Sequence, residues 1–225
     1  MNAVLFDLYG TLIDIYLNEK NDNLWIKLSK YTKKYKKYTP NELKDKYFEL
    51  VLKYNKEKEE INVFNVFQEL FNIEGKKLTK VCLKFRELSI GFIKCYGGAK
   101  KLLLRLKSEG YKLYAVSNSF ELFTLNELKK LDILDLFDGV AISSKYGIKK
   151  QNVEFYKKAV NEFNISDYNI IVVGNDYDED IAPSKELGYK TVFIETNLTP
   201  ITSNKKNVYG FDKEYIYSAI DKLKQ

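Results

Sequence analysis

The stretch NIIVVGND, residues 169–176, joins an apolar run to a glycine and two polar residues. A short apolar run rich in β-branched side chains is typical of a strand that is buried on both faces. Similar runs occupy residues 4–6, 111–116, 139–143 and 190–194. Helical periodicity separates them, over residues 99–108, 120–130, 153–163, 181–187 and 213–224. This alternation predicts an α/β fold, a doubly wound parallel sheet with helices on both faces.

Residues 15–94 have a different pattern. Apolar residues recur there at three- and four-residue intervals, which predicts helices. Thr39, Pro40 and Glu42 form a capping-box sequence that opens one of them, running through Leu52 and toward Glu59. We therefore expect an all-helical domain at 15–94, inserted after the first strand, and an α/β core made of residues 1–14 and 95–225.

The charge of the chain is concentrated in the helical segment. Residues 15–94 hold 18 Lys or Arg against 11 Asp or Glu, and the densest part is KLSKYTKKYKK at 27–37. Such a surface could attract an anionic substrate. No nucleic-acid-binding motif accompanies it, so a solvated helix face is the favoured interpretation and a nucleic-acid partner is not.

The composition excludes several chemistries. There is no histidine, hence no Ser-His-Asp triad, no histidine base and no imidazole zinc site. Cys82 and Cys95 form no CxxC motif, which favours reduced thiols. No apolar run approaches the roughly 20 residues that span a bilayer, and the first residues lack the features of a signal peptide. We expect a cytoplasmic protein without a membrane partner; its oligomeric state is not indicated.

Polar residues follow the predicted strands at their carboxyl ends. Asp7 follows the first strand, Ser117 and Asn118 the second, Lys150 comes soon after the third, and an acidic run at 175–180 follows the fourth. Ligands of doubly wound sheets bind outside the carboxyl ends of the strands. These residues should therefore meet in one crevice that accepts a small anionic substrate.

The residue types in this crevice indicate nucleophilic chemistry. A carboxylate such as Asp7 can attack an electrophile and form a covalent aspartyl intermediate. Ser117 and Lys150 could stabilise the negative charge that develops, Thr11 could orient the nucleophile, and backbone N–H groups of residues 8–10 could face the anion. The acidic run would repel Asp7 unless a cation lay between them, and Mg²⁺ suits such oxygen ligands.

Four motifs in order resemble the haloacid dehalogenase superfamily of hydrolases: FDLYGTL at 6–12, VSN at 116–118, GIKK at 147–150 and GNDYDED at 174–180. The resemblance implies a Rossmann-like core and a helical cap that closes over the site and helps to select substrates. It makes Asp7 the nucleophile and Ser117 and Lys150 the anion-stabilising residues. The expected metal ligands are Asp7, the carbonyl of Tyr9, Asn175 and either Asp176 or Asp180. The expected substrate-binding residues are Tyr9, Thr11 and Asn118.

Departures from the family pattern bear on the reaction. Tyr9 stands where the phosphatases of the family carry a second aspartate, the general acid and base. The 2-haloacid dehalogenases have tyrosine at this position, and Tyr156 is similar to another of theirs. The two arginines, Arg86 and Arg105, are not in the early cap, where those enzymes hold the halide.

The spacing from Asn175 to Asp180 follows the phosphatase pattern, although Asn175 replaces an aspartate. We therefore predict a Mg²⁺-dependent phosphatase of weak or narrow activity, because a general acid typically contributes about 10²–10⁴-fold. Two alternatives remain open: a metal-independent 2-haloacid dehalogenase, and a catalytically silent relative that binds a partner.

Overall fold

The structure, a computed structural model, describes residues 1–54, 62–200 and 211–224. It divides into two compact units, Met1–Asp14 with Lys94–Gln225, and Ile15–Ile93. The strands are β1 (Asn2–Asp7), β2 (Ile13–Leu17), β3 (Ile90–Cys95), β4 (Lys112–Ser117), β5 (Gly139–Ile142), β6 (Asn169–Gly174) and β7 (Lys190–Phe193). The helices are α1 (Asp22–Thr32), α2 (Pro40–Tyr54), α3 (Val63–Phe71), α4 (Gly75–Ser89), α5 (Ala99–Ser108), α6 (Glu121–Lys130), α7 (Ser143–Tyr146), α8 (Val153–Glu162), α9 (Ala182–Glu186) and α10 (Lys213–Lys222).

The first unit is built on a parallel sheet with the strand order β5-β4-β1-β6-β7. The predicted doubly wound α/β fold is confirmed. The interior of β1, from Ala3 to Phe6, is completely buried, as its apolar sequence predicts for a central strand. The strand order reverses at β1, so the switch point of the sheet lies between β1 and β6.

The second unit contains the helices α1 to α4. The capping box is present at the start of α2: the Thr39 N–H donates to Glu42 Oε2 at 2.8 Å, and the Glu42 N–H donates to Thr39 Oγ1 at 3.3 Å. Helix α2 includes Leu52, whereas Glu59 lies outside the described residues. Aromatic rings fill the core of this unit, with Tyr47 at 4.9 Å from Phe85 and 5.1 Å from Trp25 between ring centroids.

The sequence predicts an all-helical segment at 15–94. This prediction is wrong at both ends of the segment, where the chain forms β2 and β3. Helix α4 stops at Ser89, and the following six residues form β3, which pairs with β2 in a two-stranded sheet. Gly91 disfavours a helix, and a Cβ at this position would collide with the ring of Tyr16. Neither β2 nor β3 is long enough for its sequence to distinguish a strand from a helix, so the pair is recognisable only in the fold.

Across the described ranges, the structure contains no helix that is both long and apolar enough to cross a membrane.

Candidate active site

The loop after β1 brings Asp7 to the edge of the sheet and then turns sharply. The Leu8 carbonyl accepts hydrogen bonds from the N–H groups of Thr11, Leu12 and Ile13, at 3.2, 2.8 and 2.8 Å. Gly10 has φ of +93°, a conformation that favours glycine, and its Cα lies against the Asn175 side chain. The sequence predicts that the backbone N–H groups of residues 8–10 face an anion. The Gly10 N–H does not, because it donates to the Ile13 carbonyl at 2.9 Å.

Lys150 joins two carboxylates at the centre of the site. Its Nζ lies 2.6 Å from Asp7 Oδ1 and 2.6 Å from Asp180 Oδ1, and all three side chains are buried. The Lys150 N–H donates to Asn118 Oδ1 at 2.8 Å, which ties the lysine loop to the end of β4. One buried ammonium group thus pairs with two buried carboxylates. The three groups together carry a formal charge of about −1 when both carboxylates are ionised.

Burial and charge oppose each other in this cluster. Burial alone would lower the pKa of Lys150, but attraction by Asp180 and Asp7 outweighs it and holds that pKa well above its usual value. Burial raises the pKa of Asp180 to about 7, a rise that the charge of Lys150 limits and the charge of Asp7 increases. Lys150 therefore remains a cation at neutral pH.

The acidic run begins with a capped turn. Asp176 Oδ1 accepts hydrogen bonds from the N–H groups of Asp178 and Glu179, at 2.9 and 3.2 Å, and so caps the π-helical turn Tyr177–Ile181. The Asp176 N–H donates to Asp180 Oδ2 at 3.0 Å. Tyr156 is fully buried, and its hydroxyl donates to the Glu179 carbonyl at 3.0 Å. The turn is thereby fixed from both sides, and Asp180 is held beside Lys150.

A cavity of about 110 Å³ opens above Asp7. Polar side chains dominate its lining: Asp7, Ser117, Asn118, Lys150, Asn175, Asp176, Glu179 and Asp180, with Tyr9, Leu198 and Pro200 completing it. Small-molecule sites usually enclose roughly 300–1,000 Å³, so this cavity suits a phosphoryl group or another compact anion.

Tyr9 is anchored away from the floor of the cavity. Its hydroxyl donates to Glu127 Oε2 at 2.5 Å and lies 3.2 Å from Thr124 Oγ1. Both partners belong to α6, and neither is among the residues that line the cavity. The proton of the Tyr9 hydroxyl is thus directed to the Glu127 carboxyl group.

The site offers oxygen ligands that fit Mg²⁺. Asp7 Oδ2 is buried and, within the described part of the chain, has no hydrogen-bond partner. Asn175 Oδ1 accepts a hydrogen bond from Thr11 Oγ1 at 3.2 Å, which orients the amide oxygen. No group of three or more Asp, Glu, Cys or His side chains is placed to hold a metal ion in those residues. Mg²⁺ commonly uses one or two carboxylates with waters and substrate oxygens, so the donor set fits it.

Every site residue predicted from the sequence lies in this region of the first unit. Eight of them line the cavity, namely Asp7, Tyr9, Ser117, Asn118, Lys150, Asn175, Asp176 and Asp180, and Thr11 contacts Asn175. Sequence reasoning missed Glu127 and Thr124, because polar residues on an amphipathic helix are normally assigned to its exposed side. It also missed Leu198 and Pro200, which the rule about loops beyond strand ends could have nominated.

The comparison with known families identifies the class. The family model described as haloacid dehalogenase-like hydrolase matches residues 1–188. The chain belongs to the haloacid dehalogenase-like hydrolases.

Individual proteins show how far the likeness extends. The glyceraldehyde 3-phosphate phosphatase of Pyrococcus furiosus is 36% identical over 98 residues, which are 44% of this chain and 41% of that protein. The chain thus matches less than half the length of this relative.

Two solved structures share the fold. A haloacid dehalogenase (HAD) phosphatase from Thermococcus onnurineus has a TM-score of 0.64 at 19% identity, covering 98% of both chains. A 2-haloacid dehalogenase from Pseudomonas syringae pv. Tomato DC3000 has a TM-score of 0.67 at 13% identity, covering 99% of both. Fold similarity does not separate phosphatase from dehalogenase chemistry.

Proposed function

We propose that this protein is a Mg²⁺-dependent phosphatase that hydrolyses small phosphate monoesters through an aspartyl phosphate on Asp7. One observation carries the proposal: Asp7 is buried at the end of β1, holds Lys150 with Oδ1 and leaves Oδ2 without a hydrogen-bond partner among the described residues. An ionised carboxylate with an open oxygen above a small polar cavity is suited to nucleophilic attack.

The reaction would take place in two displacements. In the first, the Asp7 carboxylate attacks phosphorus, the bond from phosphorus to the ester oxygen breaks, and the departing oxygen takes a proton from water to leave as the alcohol. In the second, water attacks the aspartyl phosphate, releasing inorganic phosphate and restoring Asp7. Lys150 and Ser117 lie in the cavity wall, where they would stabilise the phosphoryl oxygens in both steps.

The proposed Mg²⁺ would be held by Asp7, Asn175, the carbonyl of Tyr9 and Asp180. When bound, the ion would neutralise charge on the phosphoryl oxygens and screen Asp7 from the acidic turn. Asn175 is a neutral ligand where an aspartate would add a charge, so we expect weaker metal binding than a third carboxylate would give.

Protonation of the leaving alcohol is where this chain departs from the phosphatase pattern of the family, because Tyr9 stands in place of the second aspartate. The Tyr9 hydroxyl donates to Glu127, so it is not available to the alcohol in this conformation. A missing general acid typically costs about 10²–10⁴-fold in rate, which supports weak activity or a narrow range of substrates.

The decisive experiment is hydrolysis of phosphoglycolate and glyceraldehyde 3-phosphate, followed as release of inorganic phosphate, with Mg²⁺ and with a chelator. The second substrate is chosen because the curated relatives are named for it. We expect Mg²⁺-dependent turnover that Asp7→Asn abolishes. Asp138→Asn is the matched control, since Asp138 accepts from the Leu113 N–H at 2.9 Å outside the cavity. Turnover that survives in Asp7→Asn would refute the proposal.

Two other functions would give different results. The tyrosine at position 9 favours the dehalogenase alternative, which predicts chloride release from 2-chloropropionate that a chelator does not reduce. A silent binding protein would show no activity that depends on Asp7. It would instead bind a polyanion in a salt-sensitive way through the basic segment 27–37.

We also propose the cytoplasm as its location. Cys82 and Cys95 are free thiols in the structure, and unpaired cysteines are typical of reducing compartments.

A further inference from the structure

Helix α6 carries an unusual buried face. Its four buried side chains are Phe123, Thr124, Glu127 and Leu128, so half of the face is polar. Glu127 is only 3% exposed, and burying a carboxylate is costly unless it is paired or hydrogen-bonded. Glu127 therefore needs a polar partner inside the protein.

The contact with Tyr9 gives the buried Glu127 carboxyl group a hydrogen-bond donor. The Tyr9 hydroxyl donates to Glu127 Oε2 at 2.5 Å, a short hydrogen bond. Thr124 Oγ1 lies 3.2 Å from the same hydroxyl and donates to Ser119 Oγ at 2.7 Å. The Ser119 N–H in turn donates to Ser143 Oγ at 2.9 Å. The phenol is thus fastened to a network that reaches the ends of β4 and β5.

Tyr9 occupies the position between this network and the cavity. It lines the cavity, whereas Thr124 and Glu127 do not. The tyrosine therefore separates the cavity from α6, and the hydrogen bonds on its far side fix where that wall stands. If the ring were released, it could turn about its side-chain bonds and the cavity would widen.

We propose that Glu127 and Thr124 are positioning residues that hold Tyr9 as a fixed wall, and that this wall limits the site to phosphate monoesters with a small leaving group. The inference rests on the proposed function and adds its substrate class. The cavity of about 110 Å³ admits a phosphoryl group but has little room beside it. A bulky group on the Tyr9 side of the cavity must displace the wall and break the hydrogen bonds that hold it.

Binding of two phosphonates tests the wall without turnover. Methylphosphonate and phenylphosphonate share the phosphoryl oxygens, differ in bulk and have no ester bond to hydrolyse. Isothermal titration calorimetry gives their dissociation constants for the wild type, Glu127→Ala, Glu127→Gln and Tyr9→Phe. Glu162→Ala is the matched control, because Glu162 accepts from the Tyr146 hydroxyl at 2.9 Å outside the cavity.

We expect the wild type to prefer methylphosphonate. In Glu127→Ala and Tyr9→Phe this preference falls by about tenfold, the upper end of the factor for losing one hydrogen bond. Glu127→Gln keeps an acceptor for the Tyr9 hydroxyl and retains the preference, as does Glu162→Ala. Circular dichroism confirms folding, and Tyr9→Phe serves if Glu127→Ala does not fold.

Three results would contradict the proposal that Tyr9 is a fixed wall. They are no phosphonate binding by the wild type, no preference of the wild type for methylphosphonate over phenylphosphonate, or an unchanged preference in both Glu127→Ala and Tyr9→Phe. Phosphatase turnover is measured in parallel. If the wild type prefers methylphosphonate but shows no phosphatase turnover, the proposed phosphatase function is refuted and the role of Tyr9 as a wall is supported. If turnover is present but the variants keep the wild-type preference, the role of Tyr9 as a wall is refuted and the phosphatase function is supported.

Discussion

Replacing Lys150 by methionine removes the only cation that the structure places between Asp7 and Asp180 in the described part of the chain. Each carboxylate oxygen lies 2.6 Å from Lys150 Nζ, so the two oxygens are at most about 5.2 Å apart. At an effective dielectric constant of about 20, the repulsion between two charges at that distance is about 3 kcal/mol. We therefore expect Lys150→Met to lose about 3–5 kcal/mol of stability, as for other buried pairs that lose one partner.

The assay is thermal unfolding followed by far-ultraviolet circular dichroism in a chelating buffer, since a divalent cation would replace the missing charge. The single tryptophan, Trp25, lies in the other unit and would not report on this site. For a chain of this size, the loss corresponds to a melting midpoint lower by about 6–20 °C. Lys145→Met is the control, because its ion pair with Glu162 is exposed and worth at most about 1 kcal/mol.

The dependence on pH gives the same reasoning a second test. Burial raises the pKa of Asp180 to about 7, and removal of Lys150 would raise it further, because the lysine charge lowers it. The folded variant then binds a proton more readily than the unfolded chain, so its stability rises as pH falls from about 8 to about 5.5. If the Lys150→Met variant had the same melting midpoint as the Lys145→Met control at pH 8, this account would be refuted.

Three further predictions concern single residues. Asn175→Asp adds a charged ligand, so calorimetry should show Mg²⁺ binding tightened by about tenfold; an unchanged affinity would remove Asn175 from the proposed metal site. Gly10→Ala places a Cβ against the Asn175 amide at φ of +93°, so it should abolish turnover while Gly110→Ala, where a Cβ meets open space, does not. Thr39→Ala removes one side of the capping box and should destabilise the helical unit by about 1 kcal/mol, as followed by Trp25 fluorescence during urea unfolding; an effect below a few tenths would contradict the cap.

Much of the architecture follows from the sequence because it depends on local patterns. The apolar runs mark the five core strands, and the alternation of strands with helices implies parallel pairing. Because all parallel strands end at the same edge, Asp7, Ser117 and the run after β6 could be assigned to one crevice before any contact was known. The capping box at Thr39 is equally local, since both of its partners lie within one turn.

Tertiary structure alone decided the contacts between distant parts of the chain. The short strands β2 and β3 are recognisable only as a pair, because neither has a pattern long enough to exclude a helix. Lys150 could have met one carboxylate, both or neither, and only the packed loops show that it holds both. The contact between Tyr9 and Glu127 joins positions 118 residues apart. Periodicity describes neighbours along the chain, so it cannot show which buried carboxylate a distant phenol will contact.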